Sequence, residues 1–305
     1  ALERIQKIVS EENAEKRLSA SLYLRFLWLE NQLLFENKNY VESEQKSKVL
    51  IAKIEDSPID KGFTLGKKEE LLGYSYLLLG KALFAQEKNT AALNAFSILR
   101  EKAMHSNAAI RSYLESARYF ASINDRVEAQ QNLIELVDHY PNSKYAPAAL
   151  YEAAINIELR GQSHFKKAFK ILDRLISEYP KSKWVFSARI KQADLLQQLN
   201  EFQSAQQIYE NLLKKNRNPL ARHKLELLRA KCLMAQERLD PSKKDLATVD
   251  LERLFNLNND SADLRAEAGF LWAYMAEKNG ALKQASKRYW EVLNKLLISP
   301  NAELN

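Results

Sequence analysis

Apolar residues in this chain recur every three or four positions, the spacing that places them on one face of an α-helix. Two such faces follow one another between residues 193 and 213, and a short polar turn separates them. The same two-helix pattern returns along most of the sequence. The pattern therefore predicts an all-α protein built from antiparallel helix pairs.

The dipeptide Tyr-Pro marks the period of these pairs. It occurs twice, ending at Pro141 and at Pro180, 39 residues apart, and the same residues Ser-Lys follow each copy after one intervening position. An alanine lies twelve residues before each proline, and its register defines second helices with a small residue at Ala92, Ala129, Ala168, Ala205 and Ala285. The spacings of 37, 39, 37 and 80 residues, the last spanning two units, predict about seven helix pairs.

Each of these alanines is followed four residues later by a large side chain, namely Phe96, Leu133, Leu172, Tyr209 or Tyr289. We interpret the small residue as the point where helix backbones approach, and the large one as filling the groove beside it. The unit hidden in the 80-residue interval is carried by residues 246–257, and residues 241–244 are predicted to lengthen the loop before its second helix.

The clearest copy of the unit runs from Leu79-Gly80 to Ala92 and Phe96, with a spacing of twelve positions from Gly80 to Ala92. This copy resembles the tetratricopeptide repeat, whose consensus has a small residue on the first helix and Ala-x3-Phe on the second. The resemblance covers about residues 10–300. It implies a right-handed superhelical solenoid of antiparallel helix pairs and a non-enzymatic scaffold that binds other proteins.

One segment interrupts the regular pattern of helices. Residues 57–67 contain one proline and two glycines, which predicts a loop and a candidate hinge. We therefore divide the chain into N-terminal helices with a first helix pair over residues 1–56, this loop, and about six further pairs over residues 68–305. The later pairs are expected to continue the first. Residues 1–9 are amphipathic, and we interpret them as the last helix of a preceding unit.

The composition supports a helical fold and excludes some alternatives. The 305 residues include only seven Gly and seven Pro, which leaves little material for the tight turns of an all-β protein. A single Cys cannot form an internal disulfide. The most apolar stretch, residues 22–29, contains Arg25, so we expect no membrane-spanning helix.

We find no pattern that points to catalysis. The four histidines lie at least 25 residues apart, so none has the spacing of a local helical zinc site. Cys232 has no nearby base in sequence, and the chain lacks a glycine-rich phosphate loop. We therefore predict no catalytic residue, no metal, no cofactor and no small-molecule substrate, and interpret Cys232 as a small buried residue.

Positive charge is concentrated in one part of the chain. The whole sequence has a formal net charge of +7, but residues 160–191 alone hold nine Lys or Arg against two acidic residues. Residues 214–231 add seven basic residues against one acidic residue, whereas the first 70 residues are nearly neutral. We call residues 160–231 the basic zone, with the candidate binding residues Lys166, Lys167, Lys170, Arg174, Lys181 and Lys183. Such a zone can attract an acidic peptide, an anionic membrane surface or nucleic acid, and solvated lysines on outer helix faces are the alternative interpretation.

The family resemblance also implies a concave groove lined by the first helices. Positions counted from the small residues of those helices predict the partner-binding residues Arg111, Arg118, Tyr151, Asp194, Lys224, Lys231 and Tyr274. The Lys and Asn pair with which chaperone-binding members of the family clamp a terminal carboxylate is absent at these positions. We therefore expect the groove to bind another protein or peptide segment, and we disfavour a chaperone co-factor.

Residues 140–150, which contain Pro141 and Pro147, are similar to a signature of periplasmic repeat proteins. These proteins include the Tol-Pal-associated coordinator and the lipoprotein subunit of the outer-membrane assembly machinery. The similarity implies a location in the periplasm or cell envelope of a bacterium, with the cytoplasm as the alternative. It also implies that any membrane association would come from a removed anchor or a partner. The alternative function is binding of an anionic polymer, nucleic acid or anionic membrane through the basic zone, with nucleic acid less favoured.

Overall fold

The computed structural model describes residues 1–11, 18–215, 218–236, 241–257 and 261–297. These residues contain fifteen α-helices, one short 3-10 turn and no strand, which confirms the all-α prediction. Helix α1 (Leu2–Ser10) precedes seven consecutive pairs. The pairs are α2 (Ala20–Glu36) and α3 (Tyr40–Asp56), α4 (Leu65–Phe84) and α5 (Asn89–Lys102), α6 (Asn107–Ser122) and α7 (Arg126–His139), α8 (Ala146–Glu158) and α9 (Phe165–Glu178), α10 (Trp184–Gln198) and α11 (Phe202–Lys215), α12 (Pro219–Ala235) and α13 (Pro241–Phe255), and α14 (Ala262–Lys278) and α15 (Leu282–Leu297). No helix in the described part of the chain combines the length and the apolar character needed to cross a lipid bilayer.

We call the first helix of each pair its A helix and the second its B helix. The chain forms two compact units, Ala1–Arg160 and Gly161–Asn305. Within each unit every helix from α2 onward packs against the next one in sequence, and A helices also contact A helices at α2 with α4, α4 with α6, and α12 with α14. Sequential packing of this kind is the arrangement that the two-helix pattern predicted.

The loop after the first pair is shorter than the predicted range of residues 57–67, because α4 already begins at Leu65. The loop lies inside the first unit and is held to its core. Phe63 is buried, and the Asp60 carboxylate accepts hydrogen bonds from the N–H groups of Gly62 and Phe63 at 2.6 and 2.7 Å. A carboxylate that bonds to the backbone two and three residues ahead stabilises a tight turn.

The small positions of the repeat are buried as predicted. In the A helices these are Ala117, Ala154, Ala193, Ala230 and Ala273, and in the B helices they are Ala92, Ala129, Ala168, Ala205 and Ala285. The closest approach lies at Gly80, where a Cβ atom would stand 2.2 Å from Cε1 of Phe96. Glycine is therefore required there, because the Phe96 ring occupies the space of any side chain.

The large residues that follow these small positions are buried in four of the five units. Phe96, Leu133, Leu172 and Tyr209 are at most 1% exposed. Tyr289 in the last pair is half-buried, and its hydroxyl donates a hydrogen bond to Glu277 at 2.8 Å. The predicted packing role is thus confirmed for the first four, and Tyr289 retains contact with solvent.

The loop predicted at residues 241–244 is helical instead, because α13 begins at Pro241. Proline is well tolerated in the first turn of a helix, where its missing N–H has no intrahelical partner to lose.

Five of the turns between A and B helices share one backbone feature. The residue five positions before the small residue of the B helix has a positive φ of 60 to 76°, at Lys38, Glu87, Asn124, Asn200 and Gly280. Only one of the five is glycine, so the turn is repeated in conformation while its residue type varies.

Candidate functional site

An apolar groove lies between the A helices α2 and α4 of the first unit. Its cavity volume is about 680 Å³, within the range of ligand pockets, roughly 300–1,000 Å³. The lining residues are Arg25, Trp28, Leu29, Gly66, Lys67, Glu70, Leu71 and Tyr74. We call this cavity the α2–α4 groove.

Two aromatic side chains from different helices form the apolar wall of the α2–α4 groove. The rings of Trp28 and Tyr74 lie 5.9 Å apart at an interplanar angle of 60°, an edge-to-face contact. The indole N–H of Trp28 is buried and has no hydrogen-bond partner among the described residues. Leu29 beside it is 38% exposed. The groove therefore presents apolar area together with an unused hydrogen-bond donor close to it.

Charged residues stand at the edge of the α2–α4 groove. The guanidinium carbon of Arg111, on α6, lies 5.8 Å from the ring centroid of Tyr74. Burial and then the Glu70 carboxylate raise the pKa of Tyr74, and Arg111 opposes that shift. Within the described part of the chain, neither Arg25 nor Arg111 forms a salt bridge. The edge of the groove can therefore receive a carboxylate.

Glu70 also fixes the position of α6 relative to α4. Its carboxylate accepts hydrogen bonds from the backbone N–H of Asn107 at 3.1 Å and from the Asn107 side-chain amide at 3.3 Å. Asn107 is the first residue of α6, so an acidic side chain there also complements the positive end of the helix dipole. This link places Arg111, one turn further along α6, beside Tyr74.

Of these groove residues, Arg111 was predicted from the sequence, whereas Arg25, Trp28 and Tyr74 were not. All three lie three or six positions before the small position of an A helix, the same register that identified Arg111. The small positions of α2 and α4 are Asn31 and Gly80. Asn31 is buried and hydrogen-bonded to the hydroxyl of Ser47, 2.7 Å away, so a polar residue there concealed the first repeat. Extending the register through Asn31 and Gly80 would have found the site.

The other groove residues predicted in the first unit do not line the α2–α4 groove. Arg118 is exposed and forms a salt bridge with Glu115, one turn before it on α6, at 3.2 Å. Tyr151 is half-buried on α8. Arg111 is not a lining residue either, but it lies beside the groove through its contact with the lining residue Tyr74.

In the second unit, two of the predicted groove residues form ion pairs within the protein and two are exposed. Lys231 on α12 forms an ion pair with Glu267 on α14, and Lys191 donates to Asp194 at 3.3 Å. Lys224 and Tyr274 are exposed. The ion pair between α12 and α14 satisfies the Lys231 charge within the protein.

The predicted basic-zone residues are mostly exposed. Lys166, Lys167, Lys170, Lys181 and Lys183 are exposed, whereas Arg174 is half-buried and donates to Glu178 at 2.8 Å. Two of these residues, Lys166 and Lys170, line a second groove, which lies in the second unit.

Nucleophilic and metal-ligating residues form no centre in the described ranges. No group of three or more His, Cys, Asp and Glu side chains there could hold a metal ion. Cys232 is buried in an apolar cluster with Tyr209 and Leu225, and burial raises the pKa of its thiol to about 12. The thiol is therefore protonated at neutral pH, as expected for a residue that serves as packing.

Comparisons with known proteins identify the repeat. Residues 148–182 match the sequence profile of the tetratricopeptide repeat family. The fold of the chain is similar to the C-terminal part of a tetratricopeptide-repeat protein from Cytophaga hutchinsonii, with a TM-score of 0.57 and 18% identity over 90% of this chain and 96% of the other. The fold is that of a tetratricopeptide-repeat protein.

Further solved structures are similar at lower scores. A tetratricopeptide repeat protein from Parabacteroides merdae has a TM-score of 0.44 and 17% identity, over 92% of this chain and 95% of the other. MamA from Desulfovibrio magneticus has a TM-score of 0.47 and 15% identity, over 63% and 97%. A comparison with curated proteins gave no match. The sequence match covers one repeat, and the similarity in fold to the Cytophaga hutchinsonii protein extends over most of the chain.

Proposed function

We propose that this protein binds a segment of a partner protein in the α2–α4 groove. The observation that carries the proposal is the combination of a half-exposed aromatic and aliphatic wall with two arginines that have no salt bridge in the described residues. Trp, Tyr and Arg are the side chains that most often dominate binding energy at protein interfaces. The segment that fits this chemistry has an apolar side chain next to a carboxylate.

The groove is preorganised for such a segment. Trp28 and Tyr74 are held by two helices and by contact with each other, so little side-chain entropy remains to be lost when a partner binds. An arginine can bind a carboxylate through two parallel hydrogen bonds, which gives orientation as well as affinity. Arg25 and Arg111 lie on different helices and would fix a bound segment at two points.

Affinity purification with surface variants tests this proposal. Leu29→Glu places a charge in the apolar wall, and Arg111→Glu reverses the charge at its edge, while Arg118→Glu is the matched control on the same helix outside the groove. We expect the first two variants to lose partners that wild type and Arg118→Glu retain, with unchanged helical circular dichroism. Recovery of the same partners at the same yield by all four proteins would refute the groove assignment.

We further propose that the complex belongs to the bacterial cell envelope, of the Tol-Pal coordinator or outer-membrane assembly type. The support is the motif at residues 140–150, whose local role is to begin α8: the Ser143 hydroxyl accepts from the N–H of Tyr145 at 3.2 Å, and Pro147 lies in the first turn. Cell fractionation followed by immunoblotting tests the location. Detection in the periplasmic or membrane fraction supports it, and exclusive detection in the cytosol rejects it.

A further inference from the structure

A second groove lies within the second unit, between the B helices α9 and α11, with the A helix α10 beneath it. Its volume is about 550 Å³, in the range of ligand pockets, roughly 300–1,000 Å³. Apolar side chains come from all three helices, namely Phe169, Leu196 and Ile208. We call this cavity the α9–α11 groove. It is formed by elements other than those of the α2–α4 groove.

Three cations line the α9–α11 groove without a partner in the described part of the chain. Lys166 and Lys170 stand one turn apart on α9, and Arg189 is half-buried on α10. None of them forms a salt bridge or hydrogen bond with a described residue. Nearby Arg174 is paired with Glu178, so the absence of a partner distinguishes the lining cations from their neighbour.

The lining also contains two acidic residues. Asp173 on α9 accepts a hydrogen bond from the side-chain amide of Gln192 at 3.0 Å, which commits one of its oxygens within the groove wall. Glu201 lies immediately before α11. The lining therefore has three positive and two negative side chains, and its unpartnered positive charge is distributed over α9 and α10.

We propose that the α9–α11 groove binds an acidic amphipathic helix of a partner protein. Apolar side chains of that helix would pack on Phe169 and Ile208, and its carboxylates would bind Lys166, Lys170 and Arg189. The one-turn spacing of the two lysines matches carboxylates one turn apart on a helix. Laying an amphipathic helix in an apolar groove is a common mode of peptide recognition.

The lining favours a peptide over the other anionic partners that a basic surface attracts. Phe169 is half-buried in the packing around Tyr209, so it cannot serve as a stacking platform for bases. A flat bilayer surface cannot reach apolar side chains that line a concave cavity.

Fluorescence anisotropy with defined probes tests the proposal. The test probe is a labelled 18-residue helical peptide with a leucine stripe flanked by glutamates one turn apart. A scrambled peptide of the same composition, a single-stranded DNA oligonucleotide and vesicles of mixed neutral and anionic phospholipid are the comparison probes. We expect the helical peptide to bind more tightly than every comparison probe at moderate salt. Equal binding of the scrambled peptide, tighter binding of DNA or vesicles, or no peptide binding at low salt would overturn the proposal.

Variants of exposed residues locate the binding. Lys170→Glu reverses a lining charge, and Lys167→Glu makes the same change on α9 outside the lining. Ser204→Trp fills the groove without altering charge, because Ser204 is an exposed lining residue on α11. We expect Lys170→Glu and Ser204→Trp each to weaken peptide binding by about tenfold or more. Lys170→Glu removes a charge-assisted contact, and Ser204→Trp occupies space that the bound helix needs. Equal loss with Lys167→Glu, or unchanged binding with Ser204→Trp, would show that surface charge alone binds the peptide. Leu29→Glu should leave this binding unchanged, so failure here is separable from failure of the α2–α4 proposal.

Discussion

Arg111 and Tyr74 are joined by a cation–π contact, with the guanidinium carbon 5.8 Å from the ring centroid. The contact links α6 to α4 in the first unit and places a cation beside the apolar wall of the α2–α4 groove. An arginine over an aromatic ring keeps its charge available while its position is restrained. Arg111, which was predicted from the repeat register, therefore lies beside the α2–α4 groove, which was not predicted from the sequence.

Replacing Arg111 should alter the titration of Tyr74. A nearby positive charge stabilises the phenolate, so Arg111→Gln is expected to raise the pKa of Tyr74 further above its ordinary value. The measurement is the carbon-13 NMR shift of labelled tyrosine against pH, with Tyr74→Phe to assign the resonance. Arg118→Gln serves as the control and should leave the titration unchanged. A lowered or unchanged pKa in Arg111→Gln would contradict the contact.

Gly80 and Gly66 on the same helix should respond to alanine in opposite directions. At Gly80 the new Cβ would overlap the ring of Phe96, so we expect the free energy of unfolding to fall by about 1–3 kcal/mol. At Gly66 an added Cβ atom would meet no atom within 4 Å. Alanine there should raise the free energy of unfolding by up to about 1 kcal/mol through its higher helix propensity. Urea unfolding followed by circular dichroism checks both values. A Gly80→Ala protein as stable as wild type would show that the ring can move aside.

Glu44 should make the stability of the first unit depend on acid pH. Hydrogen bonds from Lys48 at 2.6 Å and Lys88 at 2.7 Å lower the pKa of its carboxyl to about 2, from an ordinary value of 4.5. The stabilisation is therefore fully present above pH 4.5 and is lost as the pH falls towards 2. We expect Glu44→Gln to lower the free energy of unfolding at pH 7 by about 1–2 kcal/mol, because two charge-assisted hydrogen bonds are lost. The loss stays this small because both lysines are partly exposed and screened by solvent.

The same variant should approach wild type in acid. The stability difference between Glu44→Gln and wild type is expected to narrow between pH 4.5 and 2, as measured by the urea midpoint at each pH. Glu101→Gln, at an exposed carboxylate, is the control for loss of a surface charge and should show only a small stability difference from wild type. A Glu44→Gln deficit that is constant across this range would be inconsistent with the lowered pKa.

Glycine should be favourable at Glu87. This exposed residue has a φ of 60°, which costs an L-residue about 1–2 kcal/mol, whereas glycine adopts it freely but loses more entropy on folding. We expect Glu87→Gly to raise the melting temperature, with a gain of up to about 1 kcal/mol. Asn124 has nearly the same φ of 62°, and asparagine tolerates it, so Asn124→Gly should have a smaller effect. A larger gain at Asn124 than at Glu87 would refute this reasoning.

The sequence predicted the helix pairs well because the governing signal is local. The spacing of Ala92, Phe96 and their counterparts reflects one helix face, and the structure buries these positions as expected. The prediction of a loop at residues 241–244 was wrong, because α13 begins at Pro241. A proline is compatible with both a loop and the first turn of a helix. A helix boundary of this kind depends on which of the two allowed backbone conformations packs better against the rest of the protein.

The candidate site was only partly predictable. Arg111 followed from the register, but Trp28 and Tyr74 are 46 positions apart in sequence and meet only because α2 packs beside α4. The polar residue Asn31 at a small position hid the first repeat, and its burial depends on its hydrogen bond to Ser47 on α3.

Charge shows the same division between local pattern and packing. In sequence, Arg100 and Lys170 are both basic residues on amphipathic helices. In the structure, Arg100 donates to the hydroxyls of Ser112 at 2.9 Å and Ser116 at 2.8 Å and stacks on Tyr113, whereas Lys170 is exposed at the α9–α11 groove.

By itself the sequence determined the helices, their pairing and the small positions, because helical periodicity is set by neighbours three and four residues away. Tertiary structure decided which cations are satisfied internally and which apolar faces form grooves, because those contacts join residues that only packing brings together.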